Sequence, residues 1–425
     1  MIMKRVALAL FTFFLSLWML PAQEIPAFRQ LAGRVVDGAT GQPLHYASVS
    51  LAGTEVANVT NSEGVFTLKI DPRTTDYALL VVSHIGYAAQ SLKISDFNGF
   101  DIDNPLNINL IPISLTLDAA VIRGFDAEEL VKTALYKIKD NYPNENVGMT
   151  AFYREMVKKG SKYLTMNEAV LDIDKAPYNS FRVDRAGIYK GRGSQNYDST
   201  DTLFIKYQGG AVTILEIDQA KNPFAAVSMQ DISNFYDFTM ESSTIIGERA
   251  FYVVGFDQKK YAEGILMRGR LFIDSETLAI GRVEMKTNVE GHPEAAQLFV
   301  LKRPLDTRFE VESADYVINY KRSGDRWYYD YARMEVKFKT RRKRSLFSNH
   351  YTVMSEIAVT DHRSRPVKIE QDARLRFRDQ MTVKLSAFTD QNFWENYNVI
   401  EPDADIEAII RKIVKQLKKH NRDDS

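Results

Sequence analysis

A run of cationic side chains in the second half of the chain is the sequence feature with the clearest binding chemistry. Six of the eight residues between positions 337 and 344 are cationic: Lys337, Lys339, Arg341, Arg342, Lys343 and Arg344. Clustered Lys and Arg side chains attract lipid phosphates and other anionic groups. We therefore predict an anionic-ligand patch here that contacts envelope lipid or a charged glycan, with the solvated tip of a hairpin as the alternative interpretation.

The histidines do not have the spacing of a catalytic zinc site. Such a site needs a His and a Glu a few residues apart and a further His later in the chain. In His292-Pro293-Glu294 the spacing differs, and the Pro and the preceding Gly indicate a turn. Gly191-Arg192-Gly193 is an isolated glycine pair that also predicts a turn. The sequence thus predicts no catalytic residue, no cofactor-binding residue and no metal ligand.

Three other groups have weaker binding chemistry. The acidic loop Asp101-Ile102-Asp103-Asn104 could hold calcium, but it lacks the length and closing Glu of an EF-hand loop, so we predict a solvated turn. Asp198 and Asp201 form a similar surface pair. The tyrosines at 328, 329 and 331 beside Trp327 could form an aromatic platform for a sugar, although packing within a sheet is the commoner role.

The composition indicates a folded protein that is rich in β structure. The 425 residues are 45% hydrophobic and 26% charged, which excludes global disorder and suggests two or three domains. The 55 cationic and 55 anionic side chains cancel, so no nucleic-acid partner is expected. The absence of cysteine excludes disulfides, thiolate catalysis and a lipid-modified N-terminal cysteine. The 21 Tyr and 24 Phe favour β-strands.

The N-terminus has the order of features found in a secretory signal. Lys4 and Arg5 are followed by an apolar stretch at 6–20 and then by small Ala22. We predict that residues 1–22 are removed and that the protein is exported to the periplasm or the periphery of the outer membrane. An uncleaved anchor helix is the alternative, although the apolar stretch is short for a bilayer span.

Residues 30–115 consist of short alternating segments separated by turn residues, as in a small β-sandwich. Gly41, Gly64 and Gly86 are predicted structural turn residues, because glycine adopts positive φ without steric cost.

Several blocks of this region carry a resemblance to a known family. They are GRVVD at 33–37, TGQPL at 40–44, ASV at 47–49, NSEGVF at 61–66 and HIGY at 84–87. In this order they resemble the carboxypeptidase-regulatory-like domain, a transthyretin-like sandwich that is common in exported proteins of Bacteroidetes-type bacteria and often precedes outer-membrane transporters. The resemblance implies a folded accessory module without catalytic residues of its own.

Residues 116–148 are predicted to form a linker and a helix, with Asp126 as the N-cap and Glu129 in the capping-box position. The apolar stripe of this helix consists of Leu130, Ala134, Leu135 and Ile138.

Residues 149–400 are predicted to form one large antiparallel β domain, with hairpin turns at 274–277 and 323–325. After the second turn, apolar and charged residues alternate, which predicts a sheet with one dry and one wet face. The apolar set is Ala332, Met334, Val336 and Phe338, and the charged set is Arg333, Glu335, Lys337 and Lys339.

Two further resemblances concern architecture alone. FIDSETLAIGRVEM at 272–285 resembles the curved half-barrel of periplasmic lipoprotein carriers. FYRE at 152–155, NFWENY at 392–397 and Glu401-Pro402 resemble the downstream half of uncharacterised proteins that begin with the same sandwich. Residues 401–425 are predicted to form an amphipathic helix capped by Asp403 or Asp405, which either docks onto the β domain or lies on a membrane surface.

The predicted fold class is mainly β: a transthyretin-like sandwich followed by a larger antiparallel domain, with a half-barrel as one possible form, an N-terminal helix and a C-terminal helix. The predicted function is that of an exported, non-catalytic envelope binding or accessory protein whose partner is an envelope protein, a lipid or a glycan. The alternatives are an outer-membrane-associated β-barrel or transport-linked component and a carboxypeptidase-like hydrolase.

Overall fold

The computed structural model describes residues 28–113, 126–195, 206–207, 210–226, 231–302, 305–363, 365–385, 388, 397–403 and 406. Within these ranges the chain is mainly β, with N-terminal sheets followed by a large antiparallel sheet, which confirms the predicted fold class. The predicted signal at 1–22, the linker at 115–124, Asp198 and Asp201, and the C-terminal helix beyond Ile406 lie outside the described residues.

The N-terminal unit is a sandwich of seven strands. They are β1 Arg29–Asp37, β2 Ser48–Leu51, β3 Ala57–Val59, β4 Val65–Ile70, β5 Leu79–Ser83, β6 Gln90–Lys93 and β7 Leu106–Leu110. One sheet has the order β4-β1-β7 and the other β3-β2-β5-β6, so β3 and β4 are both edge strands. Alternating apolar residues such as Val35, Phe66 and Val82 face inward and form the core between the sheets.

The second unit is built on one long antiparallel sheet. Its region contains β8 Val147–Lys159, β9 Lys162–Lys175, β10 Arg185–Gln195, β11 Lys206–Tyr207, β12 Tyr236–Met240, β13 Thr244–Ile246, β14 Arg249–Gln258, β15 Met267–Asp274, β16 Ile280–Thr287, β17 Val300–Lys302, β18 Thr307–Ser323, β19 Arg326–Arg342 and β20 Asn349–Arg363. The strand order is β10-β9-β8-β20-β19-β18-β16-β15-β14-β12, with β13 also paired to β14 and with β11 and β17 forming a separate pair. The large sheet is therefore open, with β10 and β12 at its ends.

Six short α-helices accompany this sheet in the described part of the chain. They are α1 Ala127–Tyr136, α2 Ile138–Asn141, α3 Ala211–Glu216, α4 Ile232–Phe235, α5 Ala296–Phe299 and α6 Met381–Leu385. The Asp126 carboxylate caps α1 by accepting from the N–H groups of Glu128 and Glu129 at 2.9 and 3.1 Å, which confirms the predicted cap. None of the helices in the described ranges is long and apolar enough to cross a membrane.

The two faces of the large sheet have different surroundings. Apolar side chains of α1, α2 and α3 pack with Tyr153, Met334 and other residues of one face, here called the helix-covered face. On β19 the four predicted apolar residues are buried in this core, whereas Arg333, Glu335, Lys337 and Lys339 lie on the opposite, outer face. The predicted alternation and both predicted hairpins, β15–β16 and β18–β19, are confirmed.

The expected turn at Gly191-Arg192-Gly193 is wrong, because these residues lie inside strand β10. The glycines are needed for close packing rather than for a turn. A Cβ atom at Gly191 would lie 2.3 Å from the Leu385 side chain, and one at Gly193 would lie 2.5 Å from Oδ1 of Asn167. The absent side chains thus allow α6 to approach the sheet.

Candidate functional site

A segment near the C-terminal end of the described chain, residues 397–403, joins the sandwich to the large sheet; we call it the strap. The Asn398 side chain accepts from the Lys69 N–H at 2.7 Å and donates to the Lys69 carbonyl at 3.1 Å. The Asn58 side chain donates to the Val399 carbonyl at 2.8 Å. Lys69 and Asn58 belong to edge strands β4 and β3, so the strap covers both sandwich edges at this point.

A buried ion-pair network fixes the strap to the outer face of the large sheet. Arg154 donates to the Ile400 carbonyl at 2.8 Å and forms ion pairs with Glu168 at 2.7 Å and Glu356 at 3.2 Å. Glu168 also pairs with Arg192 at 2.6 Å. Burial opposes ionisation of Glu168, but the two guanidinium groups outweigh it and lower the pKa of this carboxyl. Arg154, Glu168 and Glu356 are buried, so the network acts as a structural clamp.

Apolar and aromatic contacts place the sandwich directly on this face. The ring of Tyr46 stacks on Tyr331 with 5.3 Å between centroids, and the Arg333 guanidinium lies 5.3 Å from the Tyr46 ring. Val59 of the sandwich and Ile400 of the strap complete a small apolar cluster with them. The two units therefore share a continuous buried junction.

One end of the β18–β19 hairpin makes a separate polar contact with the sandwich. The Ser323 hydroxyl donates to Glu55 at 2.5 Å, and Nδ1 of His362 lies 3.4 Å from the Glu55 carboxylate. The adjacent His362 ring is the main cause that holds the pKa of Glu55 at about 2, and the Ser323 hydroxyl contributes to this shift. Glu55 is thus held ionised as a polar anchor between the sandwich and the sheet.

A second buried polar cluster lies on the helix-covered side. Lys175 forms ion pairs with Asp184 at 2.5 Å and Asp218 at 2.6 Å, and the Tyr320 hydroxyl donates to Asp218 at 2.6 Å. Burial opposes the charge on Lys175, but the two carboxylates outweigh it and raise the pKa of the ammonium group. Lys175 is 1% exposed, so this cluster is internal structure rather than a surface site.

An open groove crosses the outer face of β12, β14, β15, β16 and β18. It has a volume of about 760 Å³ and adjoins a second groove of about 750 Å³ at the sheet end, with Asp257, Arg268 and Lys286 lining both. The absence of a side chain at Gly255 leaves space for the Glu241 carboxylate on the floor of the groove, because a Cβ atom at this position would lie 2.7 Å from that carboxylate. Strand register alone brings these residues together.

The two grooves together contain more carboxylates than cations. The carboxylates are Asp237, Glu241, Asp257, Glu284, Glu290, Glu310, Glu312 and Asp315, against Arg268, Arg270, Lys286 and Arg308. Asp237 lies directly opposite Asp257, and Arg268 opposite Lys286, so two like-charged pairs face each other across neighbouring strands. Like charges directly opposite each other on neighbouring strands destabilise a sheet. Asp257 and Arg268 have no ion-pair partner among the described residues.

The predicted basic patch is spread along one strand rather than gathered at a point. Lys337 and Lys339 lie on the outer face of β19, and Lys337 pairs with Glu335 at 3.3 Å. Arg341 and Arg342 end this strand and are exposed, as are the turn residues Lys343 and Arg344 that follow them. The tip of the β19–β20 hairpin thus carries four of the six predicted cations.

The other residues that the sequence suggested as binding groups have structural roles in the fold. Asp101 accepts from the Asp103 and Asn104 N–H groups at 3.0 and 2.9 Å, so its carboxylate closes its own turn. Trp327, Tyr329 and Tyr331 are buried in packing, which leaves no aromatic platform at these three residues.

The three predicted turn glycines, Gly41, Gly64 and Gly86, have positive φ values of 72°, 75° and 79°. Among the described residues, no three His, Asp or Glu side chains are close enough to hold a metal ion.

Sequence reasoning missed the groove and the strap. The groove depends on five strands whose residues are separated along the chain by up to about eighty positions, from Asp237 to Val317. No local pattern reveals that Asp237 and Asp257 will face each other. The strap carried a signal only in its resemblance to related downstream sequences, because its sandwich partners Asn58 and Lys69 lie more than three hundred residues earlier.

Comparison with known proteins identifies the N-terminal unit. Residues 31–122 match the family model of the CarboxypepD_reg-like domain. The seven-stranded sandwich is therefore a CarboxypepD_reg-like domain, as its sequence blocks predicted. None of the curated proteins matches the chain.

Two solved structures align over much of the chain at low similarity. A DUF1329 family protein from Desulfovibrio piger is 13% identical, with 56% of this chain and 93% of that chain covered and a TM-score of 0.25. A LolA superfamily protein from Nitrosomonas europaea is 7% identical, with 57% and 96% covered and a TM-score of 0.21.

Proposed function

We propose that this protein is an exported, non-catalytic binding protein of the cell envelope, which receives a polar ligand with cationic groups in the outer-face groove. Export is inferred from the signal-like residues 1–22. The CarboxypepD_reg-like domain serves as an accessory module that is fixed to the sheet by the strap.

The facing carboxylates Asp237 and Asp257 are the observation that carries this proposal. Asp257 has no ion-pair partner in the described part of the chain, and Lys259 lies 3.6 Å from the mostly exposed Asp237. A ligand ammonium or guanidinium group between them would relieve their repulsion. The guanidinium of Arg268, which has no ion-pair partner among the described residues, would donate to an anionic group of the same ligand, so a peptide with basic side chains fits the site.

Two buried ion-pair clusters support a binding role over a catalytic one. Lys175 with its two aspartates and Arg154 with its two glutamates are buried and fully engaged with each other. A catalytic group must be within reach of a substrate. These charges instead stabilise the framework that presents the groove.

Calorimetric titration with a pentalysine peptide tests the proposal. We expect the full mature chain to bind the peptide at low salt, with Asp257→Asn weakening the affinity by up to about five-fold, the upper range for one exposed ion pair. Asp325→Asn, which removes an exposed carboxylate from the β18–β19 turn, is the matched control and should change nothing. Absence of peptide binding, or equal losses in both variants, would contradict the groove as the binding site.

A further inference from the structure

The tip of the β19–β20 hairpin carries exposed apolar side chains as well as cations. Leu346 is 93% exposed and Phe347 is 82% exposed. The N–H of Lys343 donates to the Asp306 carbonyl at 2.7 Å, which brings the neighbouring Leu305, also fully exposed, to the same end of the sheet. Single exposed apolar residues are common on protein surfaces, but three large ones at one tip are not.

Cations surround these apolar residues. Arg341, Arg342, Lys343 and Arg344 are all exposed, and none has an ion-pair partner among the described residues. Arg308 lies directly opposite Arg341 on β18, so the strand register adds a fifth cation at this end of the sheet. Like charges facing each other destabilise the free hairpin slightly. An anionic surface that contacts the tip would relieve this repulsion.

Apolar and cationic side chains on one projection match the two layers of an anionic bilayer surface. Leucine and phenylalanine gain free energy by entering the boundary between headgroups and acyl chains. Lys and Arg side chains gain it from the lipid phosphates just above. A soluble polyanion would satisfy the cations and leave Leu346 and Phe347 in water, so the pairing favours a lipid surface over a charged glycan.

We propose that residues 341–347, together with Leu305, form a membrane-docking tip that inserts Leu346 and Phe347 into the interface of a bilayer rich in anionic phospholipid. Arg308 borders both this tip and the second groove, but residues 341–347 and Leu305 line neither groove, so docking does not depend on the groove binding its ligand. The tip engages the bilayer reversibly from one side.

The length of the hairpin determines where docking would place the rest of the protein. β19 runs for 17 residues from Arg326 to Arg342, about 50 Å at the usual rise per strand residue. The Ser323–Glu55 contact with the CarboxypepD_reg-like domain lies at the opposite end of this strand pair. Docking at the tip therefore holds that contact away from the lipid, where a partner in the aqueous compartment can reach the domain.

Vesicle co-sedimentation with the full mature chain measures the docking. The vesicles contain phosphatidylcholine with or without phosphatidylglycerol. We expect binding only with phosphatidylglycerol, and a loss of about five-fold for each cation changed to Gln among Arg342, Lys343 and Arg344. Leu346→Ser with Phe347→Ser should weaken binding by about ten-fold or more. Phe181→Ser removes an exposed Phe from the opposite end of the sheet and is the matched control.

The absence of native cysteine allows insertion to be observed directly. Phe347→Cys and Phe181→Cys can each be labelled with an environment-sensitive fluorophore. We expect a blue shift on vesicle addition at position 347 and none at position 181. Circular dichroism and thermal melts of the Ser variants should match wild type, because the altered side chains are exposed.

Three results would overturn the proposal. The first is no sedimentation of wild type with anionic vesicles. The second is equal sedimentation of wild type and the Leu346→Ser, Phe347→Ser double variant, which would reveal attraction by charge alone, as to any polyanion. The third is a blue shift of equal size at both labelled positions. Loss of pentalysine binding in the groove would affect none of these readouts, so the two proposals fail separately.

Discussion

The side-chain amide of Asn398 pairs with the main chain of Lys69 in both directions, at 2.7 and 3.1 Å. This arrangement reproduces the hydrogen bonding of a neighbouring strand with a single side chain. Lys69 lies on β4, an edge strand of the sandwich, and unpaired edge strands are open to association with other chains. The strap thus protects the domain edge at the place where it attaches the domain to the large sheet.

Asn398→Ala should lower the free energy of unfolding by about 1–3 kcal/mol, because it removes two hydrogen bonds worth about 0.5–1.5 kcal/mol each. Asn398→Asp keeps the acceptor for the Lys69 N–H but places a carboxylate oxygen against the Lys69 carbonyl oxygen, so it should not restore the lost stability. Urea unfolding measures both variants. Asn109→Ala, at an exposed position on β7, is the control. Hydrogen exchange of the Lys69 amide should accelerate in Asn398→Ala, and an unchanged rate would show that the pair does not hold the edge.

Arg154→Met should be far more damaging, since it leaves Glu168 and Glu356 buried with less compensating charge. Breaking one side of a buried ion pair typically costs about 3–5 kcal/mol. The double variant Arg154→Met, Glu356→Gln should recover part of this loss, because Glu168 keeps its partner Arg192 and the second uncompensated charge is gone. Urea unfolding of the three proteins gives the comparison. Equal stabilities of the single and double variants would rule out charge as the cause.

Local patterns predicted the elements of this fold, whereas long-range register determined its surfaces. The turns at 274–277 and 323–325 and the Asp126 cap are local features, and each is confirmed. At Gly191 the sequence predicts a turn, because it does not show that Leu385 packs against this residue. The strap bonds join residues 329 positions apart, and the groove requires five strands in register. Neither the strap bonds nor the register of the groove strands produces a periodic pattern in the sequence.

Acidification should weaken the contact between Glu55 and His362. Glu55 has a pKa of about 2 in the folded protein, against about 4.3 for an unperturbed Glu. A lowered carboxyl pKa contributes stability that is complete above the unfolded pKa and is lost as pH falls towards the folded pKa. Between about pH 4.3 and pH 2, wild type should therefore lose more free energy of unfolding than Glu55→Gln, which cannot titrate.

Urea unfolding at several pH values across this window makes the comparison. Other carboxylates titrate in both proteins, so the difference between the two curves isolates Glu55. Glu145→Gln, at an exposed position without an ion pair in the described ranges, should follow the wild-type curve. Parallel curves for wild type and Glu55→Gln would mean that the His362 contact does not depress this pKa.

Gly64→Ala should destabilise the CarboxypepD_reg-like domain more than Gly41→Ala. Both glycines have positive φ, 75° and 72°, which costs an L-residue about 1–2 kcal/mol. At Gly41 a Cβ atom would have nothing within 4 Å, whereas at Gly64 it would lie 2.4 Å from the Val35 carbonyl oxygen. That oxygen accepts the Leu44 N–H, so moving it disturbs a second strand connection. We expect an additional loss of about 1–3 kcal/mol at Gly64. Thermal melts of the full chain measure both variants. Equal losses at the two positions would show that the Val35 carbonyl moves without an energetic cost.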